Sequence, residues 1–242
     1  RDEIGELARR FESMAEQVQS LLDSQQQLLR DVSHELRSPL ARLRVGLALG
    51  SQRDLGADDP LWQRLDRECD RLDRLIDGIL TLSRLDSQRE PPTRFALDPL
   101  VRQVVDDSRF AAADLTLALQ GQSDLNLTGW PDQLQAALDN LLRNAVRFSP
   151  PNGIIQVALT ATDQGAQIII DDQGPGVPDE WLSRLSEPFV RVPGQSADSG
   201  YGLGLTIAQR AVARHGGKLT FTRNDSGGLR ATVVLPGSKT GA

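Results

Sequence analysis

The feature that most constrains the fold of this chain is a change of sequence pattern at residues 89–92. Upstream, residues 1–88 contain proline only at Pro39 and Pro60. Their apolar residues recur at alternating steps of three and four, which is typical of the seam of a coiled coil. Downstream, short apolar runs are separated by glycine, proline and polar turn residues. The 242 residues are enough for more than one structural unit. We therefore expect a long helical unit followed by an α/β unit.

The apolar seam of the helical unit changes phase once. Its first series is Ile4, Leu7, Phe11, Met14, Val18, Leu21 and Leu28. A second series, displaced by one residue, is Leu29, Val32, Leu36 and Leu43. A break in heptad phase locally unwinds or overwinds a coiled coil. We hypothesise that the joint near residues 25–29 transmits rotation or tension along the helix.

A second long helix is predicted at residues 61–87, after loop signals at residues 50–60. Its apolar stripe consists of Leu65, Leu72, Leu75, Ile79 and Leu82. Two long amphipathic helices joined by a short loop form an antiparallel hairpin. A hairpin cannot bury its apolar stripe alone, so we expect it to pair with a second copy. The spacing by itself is equally compatible with a purely structural coiled coil.

The α/β unit alternates short strands with amphipathic helices. Strands are predicted at residues 93–97, 115–119, 125–129, 154–161, 166–170, 218–223 and 229–235. Helices are predicted at residues 98–113, 131–148, 179–185 and 203–215, with a Gly- and Ser-rich irregular segment at residues 187–202. Asp98 followed by Pro99 is typical of a helix N-cap and first helical position. Alternating helices and antiparallel strands indicate a layered α/β sandwich.

Composition narrows the possible functions. The formal net charge of −6 and the isoelectric point of about 5.0 argue against nucleic acid as the main partner. Two histidines and one cysteine cannot make a zinc site of the usual kind, and we expect Cys69 to be a small packed residue. No apolar run approaches the roughly 20 residues that span a bilayer. The chain opens with Arg1 rather than a signal peptide or an initiator methionine, so we expect a fragment of a longer protein.

His34 and Glu35 are adjacent on a charged helix face. Imidazole is a competent nucleophile near neutral pH because a large fraction is unprotonated. The neighbouring carboxylate can accept the ring proton as the other nitrogen attacks. A single His–Glu pair on a helix is usually ordinary surface, so this interpretation depends on the motifs that follow. For the other histidine, His215, we expect a helix C-cap or a dipole contact.

Asn140 and Asn144 are four residues apart and therefore share a helix face. The amide oxygen of Asn144 is a ligand of the kind that Mg²⁺ accepts alongside phosphate oxygens and water. Arg147, three residues further on, can meet a phosphate. A polar helix face without a ligand would show the same pattern.

A buried-strand run at residues 168–170 ends in Asp171 and Asp172, followed by a turn that contains Gly174 and Gly176. An aspartate fixed at a strand end can accept a hydrogen bond from an exocyclic amine such as that of adenine. The two glycines let the backbone approach a flat ring because no Cβ intervenes. An ordinary strand-to-turn connection would look the same.

Residues 200–205 form a glycine-rich loop that leads into a helix. Backbone amides at such a helix N-terminus bind phosphate. The loop is not a P-loop, since Gly-Lys-Ser/Thr is missing, and it fits the dinucleotide fingerprint poorly. We expect the irregular segment before it to be a mobile lid over a nucleotide. Arg191 can then reach the γ-phosphate when the lid closes.

Taken in order along the chain, these motifs resemble those of membrane sensor histidine kinases of two-component signalling. The corresponding segments are an H-box at residues 34–40, an N-box at 139–145, a G1 box at 172–176, an F-box centred on Phe189 and a G2 box at 202–205. Residues 2–14 resemble the second helix of a HAMP linker. Residues 31–43 and 187–189 are similar to proteobacterial envelope-stress sensors of the CpxA type. The resemblance covers nearly the whole chain.

The resemblance implies an architecture and a setting. It implies an α plus α/β fold, with the end of a HAMP linker or coiled coil at residues 1–22, a dimerisation and histidine phosphotransfer hairpin at residues 23–88 and a catalytic ATP-binding domain at residues 93–237. Two hairpins would form a four-helix bundle in a homodimer, and the ATP-binding domain would be a Bergerat-type α/β sandwich. The implied partners are a second copy and the receiver domain of a response regulator. The chain would be the cytoplasmic portion of an inner-membrane sensor, anchored through segments outside it.

The resemblance also implies a reaction, in which His34 is autophosphorylated from Mg-ATP and the phosphoryl group then passes to an aspartate of the regulator. Glu35 would be the general base, and Asp172 would bind adenine. Asn144, with Asn140, would hold Mg²⁺. The other implied contacts are Arg147, Phe148, Gly174, Gly176, Phe189, Gly202, Leu203, Gly204 and Leu205 for the nucleotide and Arg191 for catalysis.

The two residues that close the H-box core, Ser38 and Pro39, carry further expectations. Many relatives dephosphorylate their regulator with a Thr or Asn four residues after the histidine, which places a water. Ser38 retains a hydroxyl at this position, so we expect phosphatase activity, at a rate that the missing methyl group leaves open. Pro39 removes a helical hydrogen bond and should kink the helix just after His34. Such a kink would let His34 move towards the ATP-binding domain.

Two other function classes remain open. Another ATPase of the Bergerat type, such as an Hsp90-like or mismatch-repair protein, would lack the His–Glu helix. A dimeric scaffold that binds nucleotide without transferring phosphate would not need Glu35, Asn144 and the lid. A stable phosphohistidine distinguishes a kinase from both.

Overall fold

The computed structural model describes residues 35–50, 59–87, 91–112, 114–193 and 201–237, together with Phe11, Met14 and Val32. By contacts the chain divides into two compact units, Arg1–Arg74 and Leu75–Ala242. Most of the predicted coiled-coil seam, the phase break near residues 25–29 and His34 lie outside the described residues. These features therefore stay predictions.

The first unit contains two packed helices, α1 over residues 35–50 and the first part of α2, which runs over Pro60–Ser87. Helix α2 begins within one residue of the predicted start. Pro60, which has no N–H to satisfy, opens the helix, and Asp59 Oδ1 accepts a 2.8 Å hydrogen bond from the Leu61 amide. Pro39 is buried within α1, and the kink expected there stays a prediction.

Close packing joins α1 to α2 at Gly46. A Cβ on Gly46 would lie 2.7 Å from Leu65 Cδ2, so the absence of a side chain lets the two helices approach. An ion pair of 2.9 Å between Arg42 Nη2 and Glu68 Oε2 also links the helices. These contacts support the predicted helical hairpin.

Helix α2 buries one side and exposes another. Its buried row includes Leu75 and Leu82, as the predicted stripe requires. Ile76 and Leu80 are 45% and 47% exposed. Cys69 is also exposed, so the expectation of a packed cysteine is wrong. The reason is its phase, because Cys69 lies seven residues before Ile76 and shares the exposed side of the helix.

The second unit is built on strands and helices close to the predicted positions. Their bounds are β1 Thr93–Ala96, α3 Leu97–Ala111, β2 Thr116–Gln120, β3 Asn126–Gly129, α4 Pro131–Phe148, β4 Ile154–Thr162, β5 Gly165–Asp171, α5 Asp179–Leu182, α6 Gly204–Arg214, β6 Lys218–Arg223 and β7 Leu229–Pro236. Helix α5 is shorter than predicted, since residues 183–186 form turns. The bounds of α4 and β6 equal the predicted ones, and the remaining bounds differ by at most two residues.

The main sheet has five strands in the order β2-β4-β5-β7-β6. Its β4–β5, β5–β7 and β6–β7 pairs are antiparallel, but β2 pairs with β4 in parallel. The expectation of antiparallel strands is therefore wrong for β2. The chain between β2 and β4 contains β3 and α4, which is long enough for the crossover that a parallel pair needs. Strands β1 and β3 form a separate two-stranded antiparallel sheet.

The core lies between the main sheet and helices that cover one of its faces. Burial alternates along β7, which is typical of a strand with one packed face. Leu138 and Leu142 of α4 are fully buried, as are Ile168 of β5 and Val233 of β7. Helices α4 and α6 pack against each other. The result is the layered α/β sandwich that the alternation of elements predicts.

Asp98 does not cap helix α3, contrary to expectation. The helix begins at Leu97, and its N-cap residue makes no side-chain cap bond. The Asp98 carboxylate accepts hydrogen bonds of 2.9 Å and 2.6 Å from the Ser123 amide and hydroxyl, and one of 3.0 Å from the Asp124 amide. Burial raises the pKa of Asp98, but these three donors outweigh burial and hold the pKa below its ordinary value. The loop that contains Ser123 and Asp124 therefore binds the Asp98 side chain in place of the predicted helix cap.

His215 is the C-cap residue of α6, as predicted. Its Nδ1 lies 2.8 Å from the Ala211 carbonyl oxygen, and the Trp130 amide donates a 2.9 Å hydrogen bond to Nε2. The next residue back, Arg214, donates a 2.7 Å hydrogen bond to the Leu85 carbonyl near the end of α2 and lies over the Trp130 ring. These contacts fasten the end of α2 to α6 and to the start of α4.

Among the described residues, every helix is too short or too polar to cross a membrane.

Candidate functional site

Residues from α4, β5, α6, β6 and β7 surround a recess at the end of strand β5. Its lining consists of Leu141, Asn144, Ala145, Ile170, Asp172, Leu205, Phe221, Leu229 and Ala231. Its cavity volume is about 10 Å³, which is the space of one water molecule. Asn144 and Asp172 are the polar side chains in a wall that is otherwise apolar. The chemistry of this wall matches a flat, largely apolar ring with a few polar edges, and entry of such a ring requires the recess to open.

Asp172 lies at the end of β5 and is only 4% exposed. Its Oδ1 accepts 2.9 Å hydrogen bonds from the amides of Gly174 and Leu229. Burial raises the pKa of Asp172 above its ordinary value, and the charge of Asp171 raises it further, while the two amides oppose the change. Because Oδ2 takes part in neither bond, it can accept a hydrogen bond from a ligand in the recess.

Asn144 and Asn140 lie one helical turn apart on α4, as predicted. Asn144 shares the recess with Asp172. The Asn140 side-chain nitrogen donates a 2.8 Å hydrogen bond to the Ala136 carbonyl. Its Oδ1 lies 3.0 Å from the position of a Cβ on Gly204, the first residue of α6. Both amides therefore lie where α4 meets the glycine-rich start of α6.

The F-box and the G2 box are in direct contact. The Phe189 amide donates a 3.1 Å hydrogen bond to the Gly202 carbonyl. Gly202 has φ +70°, and a Cβ there would lie 2.6 Å from the Val190 carbonyl oxygen. Phe189 also has a positive φ of 62°, which is uncommon for a non-glycine residue. Leu203 is buried and Leu205 lines the recess, so this contact continues into the recess wall.

The glycines of the G1 box pack against protein backbone. A Cβ on Gly174 would lie 2.9 Å from the Phe148 carbonyl oxygen. Gly176 has φ +71°, and a Cβ there would lie 2.2 Å from the Gly227 carbonyl oxygen. These contacts require glycine at both positions before any ligand is considered. The reason differs from the predicted one, which was close approach to a ring.

The segment predicted to form a lid has one buried residue in its described part. Val192 is buried in a cluster with Val177, Leu185 and Leu229. Arg191 is exposed beside this residue, whereas residues 194–200 lie outside the described residues. On α4, the Arg147 guanidinium lies 5.5 Å from the centroid of the Phe148 ring. The reach of Arg191 and Arg147 towards phosphate stays a prediction.

The H-box is described in part. His34 lies outside the described residues, while Glu35 is half-buried on α1. Ser38 is exposed, and its Oγ accepts a 2.6 Å hydrogen bond from Arg42 Nη1. Arg42 also pairs with Glu68 of α2, whose side chain is 13% exposed. Sequence reasoning did not single out Arg42 or Glu68, although their positions on facing helices could have suggested an ion pair.

Three residues that hold the β5 end were also missed from the sequence. Asn224 donates a 2.8 Å hydrogen bond to the Asp172 carbonyl, and Leu229 supplies an amide to the carboxylate. Arg230 forms two 2.8 Å bonds to the Asp171 carboxylate. They belong to the β6–β7 hairpin, and the two glycines before β7 were the one local signal of a close backbone contact.

The donor set at the recess suits Mg²⁺ only in company with phosphate. In the described ranges there is no group of three or more His, Cys, Asp or Glu residues that could hold a metal. Asn140 and Asn144 supply neutral amide oxygens near the start of α6. Mg²⁺ is commonly held by few protein ligands together with water and substrate phosphates. The residues present therefore fit a Mg²⁺ ion that arrives with a nucleotide.

Two family profiles match the chain. Residues 129–239 match the family described as Histidine kinase-, DNA gyrase B-, and HSP90-like ATPase. Residues 24–88 match the His Kinase A (phospho-acceptor) domain. The first description covers several kinds of ATPase, and the second separates them because its matched residues include His34. The chain belongs to the sensor histidine kinases.

Named sensor proteins align with nearly the whole chain. Sensor protein PfeS of Pseudomonas aeruginosa is 38% identical, with 98% of this chain and 52% of that protein covered. Sensor protein QseC of Escherichia coli is 36% identical over 96% of this chain and 52% of its own length. Sensor histidine kinase CpxA of Escherichia coli is 34% identical over 93% of this chain and 50% of its own length. The chain spans about half the length of these curated relatives.

Solved histidine kinase structures share the fold. The mycobacterial sensor histidine kinase MprB is 29% identical with a TM-score of 0.56, covering 60% of this chain and 98% of that one. Full-length ShkA in complex with AMPPNP is 26% identical with a TM-score of 0.62, covering 87% of this chain and 45% of that one. ThkA in complex with the response regulator protein TrrA is 21% identical with a TM-score of 0.71, covering 88% of this chain and 61% of that one. The α plus α/β fold predicted from the sequence is confirmed.

Proposed function

We propose that this sensor histidine kinase transfers the γ-phosphoryl group of ATP to the imidazole of His34 and then to an aspartate of a response regulator. The observation that supports the proposal best is that Asn144 and Asp172, from separate motifs, line one apolar recess at the start of α6. This is the arrangement that a base and a polyphosphate need side by side. The match of residues 24–88 to a phospho-acceptor domain supports His34 as the recipient.

Each residue then has a distinct task in the reaction. Glu35 accepts the imidazole proton as the other ring nitrogen of His34 attacks phosphorus. Asp172 Oδ2 accepts a hydrogen bond from the exocyclic amine of adenine, where guanine would present an oxygen. Backbone amides at the start of α6 bind phosphate oxygens. When bound, Mg²⁺ would neutralise phosphate charge, with Asn140 and Asn144 as its protein ligands.

Labelling with γ-phosphate-labelled Mg-ATP tests the proposal. We expect label on the protein that survives base but not acid and that is absent from His34→Ala. The other histidine offers a matched control, since His215→Gln should retain label. Equal labelling of the wild type and His34→Ala would place the nucleophile elsewhere. ATP binding without any label would contradict the kinase proposal and favour a nucleotide-binding scaffold.

We also propose a receiver domain as the second substrate. The resemblance supports this partner, and ThkA was solved with such a regulator, TrrA. Incubation of labelled protein with a receiver domain should move the label to an aspartyl phosphate, which is labile to base. We expect the chain to act as the cytoplasmic portion of an inner-membrane sensor.

A homodimer is the assembly that we propose for the kinase. Ile76 and Leu80 expose large apolar side chains one turn apart on α2. Apolar residues in such a row favour burial against another surface. A second copy of the same hairpin supplies a matching row through two-fold symmetry, as a four-helix bundle requires.

A phosphatase activity is proposed on Ser38. Ser38 lies four residues after the histidine in the sequence and is exposed, and its Oγ accepts a hydrogen bond from Arg42. A hydroxyl fixed in this way can place a water for attack on an aspartyl phosphate. We expect Ser38→Ala to lower dephosphorylation of the regulator at least about tenfold while autophosphorylation persists. Ser38→Thr should retain both activities, and equal loss of both in Ser38→Ala would contradict a role in water placement.

A further inference from the structure

The turn between β6 and β7 packs directly on the loop that carries Asp172. We call residues 224–228 the β6–β7 turn and residues 171–177 the G1 loop. A Cβ on Gly228 would lie 2.2 Å from the Asp172 carbonyl oxygen and 2.8 Å from its Oδ1. On the other side, the Gly227 carbonyl oxygen leaves no room for a Cβ on Gly176. The two segments therefore touch backbone to backbone at more than one point.

Asp172 is held through its main chain from this side. Asn224 Nδ2 donates a 2.8 Å hydrogen bond to the Asp172 carbonyl oxygen. The Asp172 amide donates a 3.0 Å hydrogen bond to the Leu229 carbonyl, whose own amide bonds the carboxylate Oδ1. Both sides of the Asp172 peptide and one carboxylate oxygen are thus fixed by a segment of six residues, 224–229. These bonds engage Oδ1 and leave Oδ2 as the carboxylate oxygen that can meet a ligand in the recess.

Asn224 is itself fixed within the turn. Its amide donates a 3.0 Å hydrogen bond to the Gly228 carbonyl, and Ser226 Oγ donates a 2.8 Å hydrogen bond to Asn224 Oδ1. The Ser226 contact identifies Oδ1 as the acceptor end of the side chain and leaves Nδ2 to face Asp172. Next along the chain, Arg230 holds Asp171 through both carboxylate oxygens. In this hairpin, Asn224 therefore binds Asp172 and Arg230 binds Asp171.

We propose that the β6–β7 turn sets which base the recess accepts and that Asn224 is a positioning residue for Asp172. The inference rests on the proposed function, in which Asp172 binds the adenine amine. Oδ1 is occupied by two amides, so base selection depends on where Oδ2 points. If Asn224 is removed, the Asp172 peptide can rotate, and the carboxylate no longer presents Oδ2 in a fixed direction. Selection of an amino-purine over an oxo-purine then weakens.

The test measures the dissociation constants of ATP and GTP by calorimetry for the wild type, Asn224→Ala, Asn224→Asp and Ser226→Ala. Asn224→Asp replaces the donor by an acceptor that faces the Asp172 carbonyl. We expect both Asn224 variants to bind ATP about tenfold more weakly and to lose most of the ATP preference over GTP. Ser226→Ala is a graded comparison, since it removes the bond that orients Asn224 but leaves Nδ2 able to donate to the Asp172 carbonyl. Its loss of affinity and of base preference should be smaller than that of Asn224→Ala.

The outcomes separate this inference from the proposed function. A wild type that binds neither nucleotide would overturn both. A wild type that prefers ATP, with that preference lost in Asp172→Asn but kept in the Asn224 variants, would overturn the positioning role alone. Thermal unfolding of each variant shows whether it is folded, and base preference is a ratio that a uniform loss of folded protein does not change. A change of preference in Ser226→Ala equal to that in Asn224→Ala would assign the effect to the turn's general stability and overturn the role of Asn224.

Discussion

In the proposed function, Asp172 must present a charged oxygen to the ligand, although its burial disfavours the charged form. Burial raises its pKa in the folded chain. The folded state then binds a proton more tightly than the unfolded state, so the free energy of unfolding falls as the pH rises from the unfolded pKa through the folded one. Once ionised, the buried carboxylate opposes folding. The amides of Gly174 and Leu229 favour the charged carboxylate, because both donate hydrogen bonds to Oδ1.

Replacing this carboxylate by an isosteric amide separates ligand binding from the burial of charge. Asp172→Asn keeps an oxygen for the two backbone amides and removes the buried charge. We expect an unfolding temperature equal to the wild type or a few degrees higher. ATP affinity should fall at least about tenfold, since an amide N–H₂ would face the adenine amine. Calorimetric titration and thermal unfolding measure both, and a large loss of stability would mean that the charge itself supports the fold.

His215 makes the stability of the second unit depend on pH in the opposite sense. Burial lowers its pKa, and the charge of Arg214 lowers it further. The unfolded chain therefore takes up a proton first as the pH falls, so stability is complete above the ordinary histidine pKa and is lost as the pH falls through the lowered one. Neutral imidazole also suits the contacts, because Nε2 must accept the Trp130 amide hydrogen.

A variant without a titrating ring should show a weaker acid effect. We expect His215→Gln to lose about 1–3 kcal/mol at pH 7.5 through poorer hydrogen bonding. Between pH 7.5 and 5.5, its unfolding free energy should fall less than that of the wild type. Urea unfolding at the two pH values measures the difference. The same fall in both proteins would show that other groups cause the acid sensitivity.

At the scale of elements, the contact between the F-box and the G2 box depends on one glycine. Gly202→Ala combines a positive φ with a Cβ 2.6 Å from the Val190 carbonyl. We expect the free energy of unfolding to fall by about 1–2 kcal/mol from the strained backbone alone. ATP affinity should fall about tenfold, because Phe189 and Val190 must move. Gly216→Ala is a matched control with φ +69° and ordinary contact at its Cβ. It should lose stability and retain ATP affinity, and equal affinity in both variants would contradict a link between this contact and the recess.

Local sequence patterns predicted the elements well and their long-range contacts poorly. The bounds of α4 were predicted because Pro131 opens the helix and the apolar spacing ends at Phe148. Asp98 was misassigned, since the donors that win it lie 25 and 26 residues away. The contacts that hold Asp172 join residues 52 and 57 positions apart. A motif identifies the aspartate, but the strand order that brings β7 beside β5 supplies the residues that orient it.

At the scale of the whole molecule, function is expected to require two copies. Ile76→Glu with Leu80→Glu places two charges on the exposed row of α2, where a bundle would bury them. We expect the double variant to be a monomer by light scattering while the wild type is a dimer. Each unpaired charge at such an interface is strongly unfavourable. Because both side chains are exposed in the single chain, the substitutions should leave its fold intact, and a monomer would therefore report lost pairing. An unchanged dimer would show that the copies pair through another face.

The exposed cysteine of α2 has a practical consequence for that question. Cys69 is the single thiol of the chain, and it lies on the same side of the helix as Ile76 and Leu80. Because the proposed pairing would cover this side, the rate at which a thiol reagent modifies Cys69 reports on assembly with no engineered residue. Slow modification of the wild type and fast modification of the Ile76→Glu with Leu80→Glu variant would follow that pairing in solution.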